Sequence, residues 1–323
     1  MGEARLSRRS FGRLAANLSA LSLLGSALPA FGAGLPAMKA AMFPFATAPF
    51  PYHGTQPDDG SEFMDVNAND GRLGHTAPRG SVYYEDQTYS DNRVLVAMPA
   101  GFDLRKKAAI VVFFHGNNAT LNRDVIQRQH VLDQLQASGL NAAFIAPQFA
   151  VNALDSSSGR FWVPGAFAQF MAEAAGALAK LYGARNARSA FAAMPIILVG
   201  YSGGYNPAAY ASTVGGVARR IRGMILLDAI VGEDDRFVAW IEASRRYAFF
   251  FSAYSDSAEA GNADVMQKIA AKGISYSTNL PRAFVPGGVN FVAADGDHDD
   301  YVTTAWVNNP LTWCFNRVVG YPR

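Results

Sequence analysis

The sequence predicts an α/β fold in three layers, with a mostly parallel central sheet flanked by helices. Short apolar runs bounded by glycine, proline or polar residues alternate with longer segments of helical periodicity through most of the chain. This alternation is typical of β-α-β units, whose right-handed crossovers place helices on both faces of a sheet. Hydrophobic residues make up 50% of the 323 positions, which is enough for a large core.

Composition limits the classes of partner. The chain has 28 Lys and Arg against 26 Asp and Glu, a net charge of +2, so charge gives no reason to expect a nucleic-acid partner. Cys314 is the single cysteine, which excludes an intrachain disulfide. Because its neighbours Trp313 and Phe315 are aromatic, we expect a buried structural thiol rather than a nucleophile.

Residues 1–34 have the pattern of a targeting segment and are not interpreted as part of the fold. Arg8, Arg9 and Phe11 precede a stretch, 14–31, that is apolar apart from small or polar residues. This resembles a twin-arginine export signal and implies a periplasmic or extracellular protein. No later segment is long and apolar enough to span a bilayer, so we expect no stable membrane span after signal removal.

Residues 35–80 are predicted to form an irregular extension, because proline, glycine, aspartate and aromatic residues follow one another without steady periodicity. Residues 65–71 begin like a calcium-binding loop, with oxygen-bearing side chains at alternate positions. Thr76 stands where a bidentate glutamate is needed, and the glycine comes one place late. We therefore favour an Asx-rich turn and predict no metal site.

Residues 81–323 are predicted to form the folded domain. Two strands at 81–86 and 93–97 are expected to pair as a hairpin across a polar turn. The continuously apolar run at 109–114 predicts a central strand that is covered on both faces. The other predicted strands are 142–146, 195–199, 224–227, 247–254 and 289–294. The predicted helices are one that Thr120 or Asn122 caps and that runs up to Gly139, one over 166–181, and one from Gly203.

The most informative motif surrounds Ser202. The apolar run that begins at Pro195 stops at Gly200, and Ser202 lies between Gly200 and Gly204 in the pattern G-x-S-x-G. A serine at the tip of a tight strand-to-helix turn has strained backbone angles, and larger flanking residues would collide with neighbouring chain. The pattern indicates a nucleophile, and its alternative is a glycine-rich turn that happens to contain serine.

The order of these features resembles the α/β-hydrolase superfamily over about residues 81–323. A strand ending in His115-Gly116, the Gly200–Gly204 motif, a later acid and a late histidine carry the resemblance. It implies the three-layer fold, a Ser-His-acid triad in that chain order, and activity of the serine esterase or lipase type. It does not specify a substrate.

The resemblance implies that the general base follows the nucleophile along the chain. His298 is the one histidine after Ser202, and it lies in a Gly/Asp loop beyond the last predicted strand. As a general base, it would take the Ser202 proton and later donate it to the leaving group. The other histidines are His53, His75, His115 and His130.

Two aspartates are candidates for the triad acid. Asp256 follows the penultimate strand, and Asp228 ends the preceding apolar run. Asp228 is slightly favoured, because a semi-buried carboxylate needs a partner such as an imidazole N–H. Asp256 is equally explained by a solvated turn, and the aspartates beside His298 are too close along the chain to orient its ring.

The resemblance also implies an oxyanion hole and a substrate pocket. The backbone amide of Gly203 would supply one donor, and Asn117 or Asn118 would supply the other. His115 is expected to support this loop. The candidate pocket residues are Tyr201, Phe149, Phe161 and Trp162; Phe167 and Phe170 are explained at least as well by packing of a helix on the sheet.

These features predict an exported serine hydrolase that cleaves carboxylic esters through an acyl-enzyme. If the aromatic residues line the pocket, an apolar acyl or alcohol group is favoured. The chemistry needs no cofactor, and the expected partner is a small-molecule ester. The alternatives are a serine peptidase or amidase of the same fold, and a secreted binding protein that has lost activity on a hydrolase scaffold.

Overall fold

The computed structural model describes residues 37–323. The predicted export signal, residues 1–34, lies outside the described residues. Within them, no helix combines the length and the hydropathy that a membrane crossing requires.

The described chain is organised around an eight-stranded sheet. In chain order, the strands are β1 (Lys39–Pro44), β2 (Val66–Asn67), β3 (Leu73–Thr76), β4 (Val82–Tyr84), β5 (Arg93–Met98), β6 (Ala109–Phe114), β7 (Ala142–Pro147), β8 (Ile196–Tyr201), β9 (Ile221–Leu227), β10 (Phe249–Tyr254) and β11 (Val289–Ala293). The order across the large sheet is β1-β5-β7-β6-β8-β9-β10-β11. From β7 to β11 all neighbours are parallel, whereas β5 is antiparallel to both β1 and β7.

Helices cover both faces of this sheet. They are α1 (Val131–Ala137), α2 (Ala166–Tyr182), α3 (Arg188–Ala193), α4 (Tyr205–Thr213), α5 (Asp234–Ser244), α6 (Glu259–Ala271) and α7 (Pro310–Phe315). Alternate residues of β6 belong to two separate apolar clusters: one contains buried residues of α2 to α6, and the other contains those of α1 and α7. Every residue of β6 is buried, because a parallel strand covered on both faces meets no solvent. The predicted three-layer, mostly parallel fold is confirmed.

The register of the parallel strands gathers their carboxyl ends at one edge of the sheet. Phe114 of β6 pairs with Gly200 of β8, and Tyr201 pairs with Leu227 of β9. Leu227 in turn pairs with Ala253 of β10. The residues that follow these strands therefore lie near one another.

The first part of the described chain is more ordered than its sequence indicates. Residues 39–44 form an edge strand against β5, although the sequence predicted an irregular segment there. The predicted hairpin of 81–86 with 93–97 is wrong, because β4 pairs with β3 and β5 enters the large sheet. Strand partners depend on tertiary packing, and a short run carries little information about which edge it will join.

An aromatic cluster attaches this first part to the rest of the domain. Phe63 is fully buried, with its ring centroid 5.6 Å from Phe50 and 5.1 Å from Tyr89. Trp162 packs against the same group, 5.7 Å from Phe63. Trp162 belongs to a short turn that precedes α2, so the cluster joins residues 37–80 to the main body.

The helix predicted to run from a cap at Thr120 or Asn122 up to Gly139 is divided into two pieces. A wide π-helical segment spans Leu121–Arg128, and α1 begins only after His130, whose φ is 49°. Thr120 caps the first piece by accepting a hydrogen bond from the Arg123 amide at 3.2 Å. The left-handed backbone of His130 separates the two pieces, and hydrophobic periodicity carries no signal for such a break.

Candidate active site

Ser202 occupies the tip of the turn between β8 and α4. Its φ is +51°, a strained value for a residue with a side chain, and a short 3₁₀ turn over Ser202–Gly204 leads into the helix. The surrounding glycines are needed for close approach. A Cβ on Gly116 would lie 2.8 Å from Cβ of Ser202, and a Cβ on Gly204 would lie 2.2 Å from the Phe114 carbonyl oxygen.

His298 lies between Ser202 and Asp228. The Ser202 hydroxyl faces Nε2 at 2.7 Å, and Nδ1 lies 2.5 Å from Oδ2 of Asp228. The histidine begins a short turn, His298–Val302, whose start is closed by reciprocal side-chain contacts of Asp297 and Asp300. An Nδ1–H donated to Asp228 leaves Nε2 free to accept the serine proton.

Asp228 is a buried carboxylate that is fully hydrogen-bonded. It is 1% exposed and accepts bonds from the Ser255 amide at 2.8 Å and from the Ser257 hydroxyl at 2.9 Å. Burial raises the pKa of Asp228, but the hydrogen bonds from His298, Ser255 and Ser257 together lower it by more than burial raises it. The pKa of Asp228 therefore lies below the ordinary range. The carboxylate is therefore ionised at neutral pH.

Asp256, the other candidate acid, is exposed at the start of a short 3₁₀ turn. Its side chain makes no hydrogen bond to His298, whereas Asp228 does. The flanking residues of Asp256, Ser255 and Ser257, instead hold the Asp228 carboxylate. Of the two alternatives, the structure brings Asp228 to the histidine.

The two asparagines after Gly116 differ in whether their backbone N–H groups are already hydrogen-bonded. The Asn118 amide donates to the Ala153 carbonyl at 2.8 Å and is unavailable to a substrate. The Asn117 amide has no acceptor among residues 37–323. Asn117 also lies against Gly203, because a Cβ on Gly203 would be 2.2 Å from the Asn117 Oδ1. Of the predicted donors, Asn117 and Gly203 are thus adjacent.

His115 supports this loop from below. Its Nδ1–H donates to the Gly116 carbonyl at 2.7 Å, and its Nε2 accepts the Phe149 amide at 2.9 Å. Burial lowers the pKa of His115. The neutral ring matches these contacts, because a protonated Nε2 would face the Phe149 N–H with a second donor.

The strand order and the position of Ser202 decide the fold. Counted within the large sheet, the order is 1-2-4-3-5-6-7-8, the second strand is antiparallel, and Ser202 follows the fifth strand. The chain has the α/β-hydrolase fold.

No family model and no curated protein matches the sequence. Among solved structures, the chain is similar to the feruloyl esterase module from Clostridium thermocellum, with 16% identity, a TM-score of 0.45, and 83% of this chain and 97% of that chain covered. It is also similar to a ferulic acid esterase, with 13% identity, a TM-score of 0.47, and coverage of 82% and 93%. An S-formylglutathione hydrolase from Agrobacterium tumefaciens shows 13% identity, a TM-score of 0.45, and coverage of 78% and 97%.

A cavity of about 490 Å³ lies beside Ser202 and His298. Among the predicted pocket residues, Trp162 lines it. Phe149 and Phe161 are 5% and 0% exposed and pack against Phe114, with ring centroids 5.7 and 6.2 Å away. These two aromatic residues cover the sheet instead, because the segment after β7 lies directly over its apolar face.

Tyr201 also lies outside the cavity lining. It is 3% exposed, and its hydroxyl donates to Asp299 Oδ1 at 3.0 Å. Successive side chains of a strand point to opposite faces, and the side chain of Tyr201 belongs to the cluster with α1 and α7.

Several lining residues were not predicted. Tyr205, Asn206 and Tyr210 of α4 face the cavity, and Glu233 meets Asn206 at 3.2 Å. A signal for the first three was present, since the helix that starts at the nucleophile must pass the site. Residues of the N-terminal segment also line the cavity, namely Gln56, Pro57, Asp58, Pro78 and Arg79.

The segment that begins like a calcium loop has other contacts. Oδ1 of Asp65 accepts the Thr76 amide at 2.7 Å, and Asp70 pairs with Arg72 at 2.8 Å. Within residues 37–323, no group of three or more His, Cys, Asp or Glu side chains has an arrangement able to hold a metal ion.

Proposed function

We propose that this protein is a serine hydrolase that cleaves carboxylic esters through an acyl-enzyme. The observation that carries the proposal is the hydrogen-bonded series from Ser202 through His298 to Asp228, with contacts of 2.7 and 2.5 Å. The positive φ of Ser202 adds support, because strained backbone is frequent at active sites.

In the first half of the reaction, Ser202 Oγ attacks the ester carbonyl carbon while His298 Nε2 takes the hydroxyl proton. The buried Asp228 carboxylate keeps the histidine proton on Nδ1 and stabilises the imidazolium that forms. The carbonyl oxygen becomes an oxyanion, and we assign the backbone amides of Gly203 and Asn117 as its hydrogen-bond donors. Each amide could contribute about 3 kcal/mol to the transition state.

The tetrahedral intermediate then expels the alcohol, which receives the proton from His298. Water attacks the resulting ester of Ser202, again with His298 as the base, and a second oxyanion collapses to release the acid. The proton balance closes within Ser202, His298 and water.

The cavity supports a small, polar substrate. Its walls carry Asn206, Glu233, Asp155 and Ser156 beside the aromatic ring of Trp162. A long aliphatic chain would exclude water from these polar groups and would find little apolar surface in return, so its binding would cost free energy. We therefore propose short or polar acyl groups, in place of the apolar acyl group that the sequence favoured.

The first test is hydrolysis of p-nitrophenyl esters from acetyl to long acyl, beside matched p-nitroanilides. We expect turnover of the short esters, little turnover of the long esters, and loss of activity in Ser202→Ala. A serine-directed fluorophosphonate should label the native protein and spare that variant. Anilide cleavage at the ester rate would indicate a peptidase or amidase, whereas silence in both assays would favour a binding protein.

Export is part of the proposal, since Arg8 and Arg9 resemble the paired arginines of a twin-arginine signal. Replacing both with lysine should retain the protein in the cytoplasm when it is expressed in a bacterium with that pathway. Unchanged export of the double variant would contradict this part.

A further inference from the structure

Tyr201, the residue before the nucleophile, contacts the histidine loop. Its ring stacks on the His298 imidazole, with centroids 5.2 Å apart and planes 27° from parallel. Its hydroxyl donates to Oδ1 of Asp299 at 3.0 Å, and the His298 carbonyl oxygen lies 3.2 Å away. Burial and the Asp299 charge raise the pKa of Tyr201, so the phenol keeps the proton that it donates. The rigid end of β8 thus contacts both the ring and the backbone of the histidine.

Asp299 extends this contact away from the strand. Its Oδ2 lies 3.0 Å from the guanidinium of Arg128, whose Nε donates to Oδ1 of Asp124 at 3.0 Å. Burial raises the pKa of Asp299, but the hydrogen bonds from Arg128 and Tyr201 together lower it by more than burial raises it. The pKa of Asp299 is therefore below the ordinary value. The carboxylate is therefore charged when it accepts both bonds.

Asp124 connects the same network to the loop after β6. Its Oδ2 accepts from the Thr120 amide at 2.7 Å and from Arg123 Nε at 2.9 Å. The Arg123 guanidinium donates in turn to the Asn118 carbonyl and, at 2.9 Å, to Oδ1 of Asn152. The π-helical segment over Leu121–Arg128 carries both arginines, and π-helical turns occur frequently at functional sites.

We propose that Tyr201, Asp299, Arg128, Asp124 and Arg123 form a positioning network that holds the His298 loop and the Asn117–Asn118 segment in place around Ser202. The inference rests on the proposed function, since it assigns His298 as the base and Asn117 as an oxyanion donor. None of the five side chains forms a hydrogen bond with the reacting atoms, and Tyr201 meets the His298 ring by stacking. They act through geometry, and a displacement of 1 Å in a catalytic group can cost about 10²-fold in rate.

The solvent exposure of Asp299 and Arg128 distinguishes a positioning role from a contribution to stability alone. The side chains of Asp299 and Arg128 are 68% and 44% exposed. Ion pairs this exposed contribute little to the free energy of unfolding, because water and salt screen them. Removing the Asp299 charge should therefore change turnover much more than it changes the melting temperature.

The test compares Tyr201→Phe, Asp299→Asn and the double variant with the native protein, using p-nitrophenyl acetate. We expect kcat to fall about 10-fold in each single variant while KM stays within about two-fold. The double variant should be no slower than the slower single variant, because both changes act on the same hydrogen bond: the first removes its donor, and the second replaces its charged acceptor with a neutral amide. Tyr182→Phe and Asp103→Asn serve as controls; the first removes a remote hydroxyl, and the second removes a remote carboxylate paired with Arg105 at 2.9 Å.

Other outcomes would overturn the inference. An unchanged kcat in Asp299→Asn, a change confined to KM, or additive losses in the double variant would each contradict a shared positioning role. In all three cases Ser202→Ala would still abolish turnover, and the proposed function would stand. Absence of both turnover and fluorophosphonate labelling in the native protein would instead overturn the proposed function, and this inference with it.

Discussion

Oδ2 of Asp228 lies 2.5 Å from Nδ1 of His298, and the carboxylate is buried beneath the turn that carries Asp256. Ser255 and Ser257 lie on either side of Asp256 and donate hydrogen bonds to the Asp228 carboxylate. The arrangement gives the histidine one defined ring orientation.

We predict that Asp228→Asn lowers kcat about 10⁴-fold, because an amide in place of the carboxylate favours the wrong imidazole tautomer. Asp256→Asn is the matched control and should keep kcat/KM within about two-fold, since exposed substitutions of this kind have small effects. Steady-state kinetics of the two variants provide the measurement. A large loss in Asp256→Asn with activity retained in Asp228→Asn would reverse the assignment of the acid.

Gly116→Ala should reduce kcat by about 10²-fold, because its Cβ would lie 2.8 Å from Cβ and 3.2 Å from Oγ of Ser202. Gly176→Ala is the control within the same fold. Gly176 lies inside α2, where the nearest atom to an added Cβ is Arg188 Nε at 3.9 Å. This second change should raise stability by about 1 kcal/mol without affecting turnover. Full activity of Gly116→Ala would contradict the close approach.

We predict that the protein loses stability in mild acid because His115 is buried. Its pKa is lowered in the folded protein, so below about pH 6.5 the unfolded chain binds a proton that the folded chain does not. The free energy of unfolding then falls as the pH falls, by about 1.4 kcal/mol per pH unit until the folded pKa is reached. Urea unfolding of the native protein and of His115→Gln between pH 7.5 and 5.5 would measure this. Equal pH slopes in the two proteins would exclude His115 as the cause.

Asp58 places a negative charge on the part of the cavity wall that the N-terminal segment forms. Burial raises the pKa of Tyr205, and the charges of several carboxylates, Asp58 among them, raise it further. Asp58→Asn should lower kcat/KM for a cationic thioester such as acetylthiocholine about two- to three-fold relative to a neutral thioester. The preference should weaken at high salt. Asp59→Asn is the control, because that carboxylate bonds to Ser61; an equal effect in both variants would contradict the assignment.

Local sequence patterns were sufficient for the central part of the fold. The apolar run 109–114 and the strand before Ser202 were predicted because a parallel strand buried on both faces must be continuously apolar. The edge strand Lys39–Pro44 was missed, since its burial is partial and its partner, β5, is distant in sequence. Phe149 and Phe161 were placed in the pocket wrongly for a related reason, because the sequence gives no indication of whether an aromatic residue faces the sheet or the cavity, whereas Trp162 does line the cavity.

By itself, the sequence determined the fold class, the turn at Ser202 and the candidate base His298, because glycine spacing, continuous hydrophobicity and chain order are local or linear properties. Only the tertiary structure placed Asp228, and not Asp256, beside His298, and gave the Asn118 backbone amide an acceptor within the chain. These choices depend on which hydrogen-bond partners other parts of the chain supply, namely the Ser255 amide and the Ala153 carbonyl. Such partners are brought together by the register of the sheet and the packing of its loops, which no local pattern encodes.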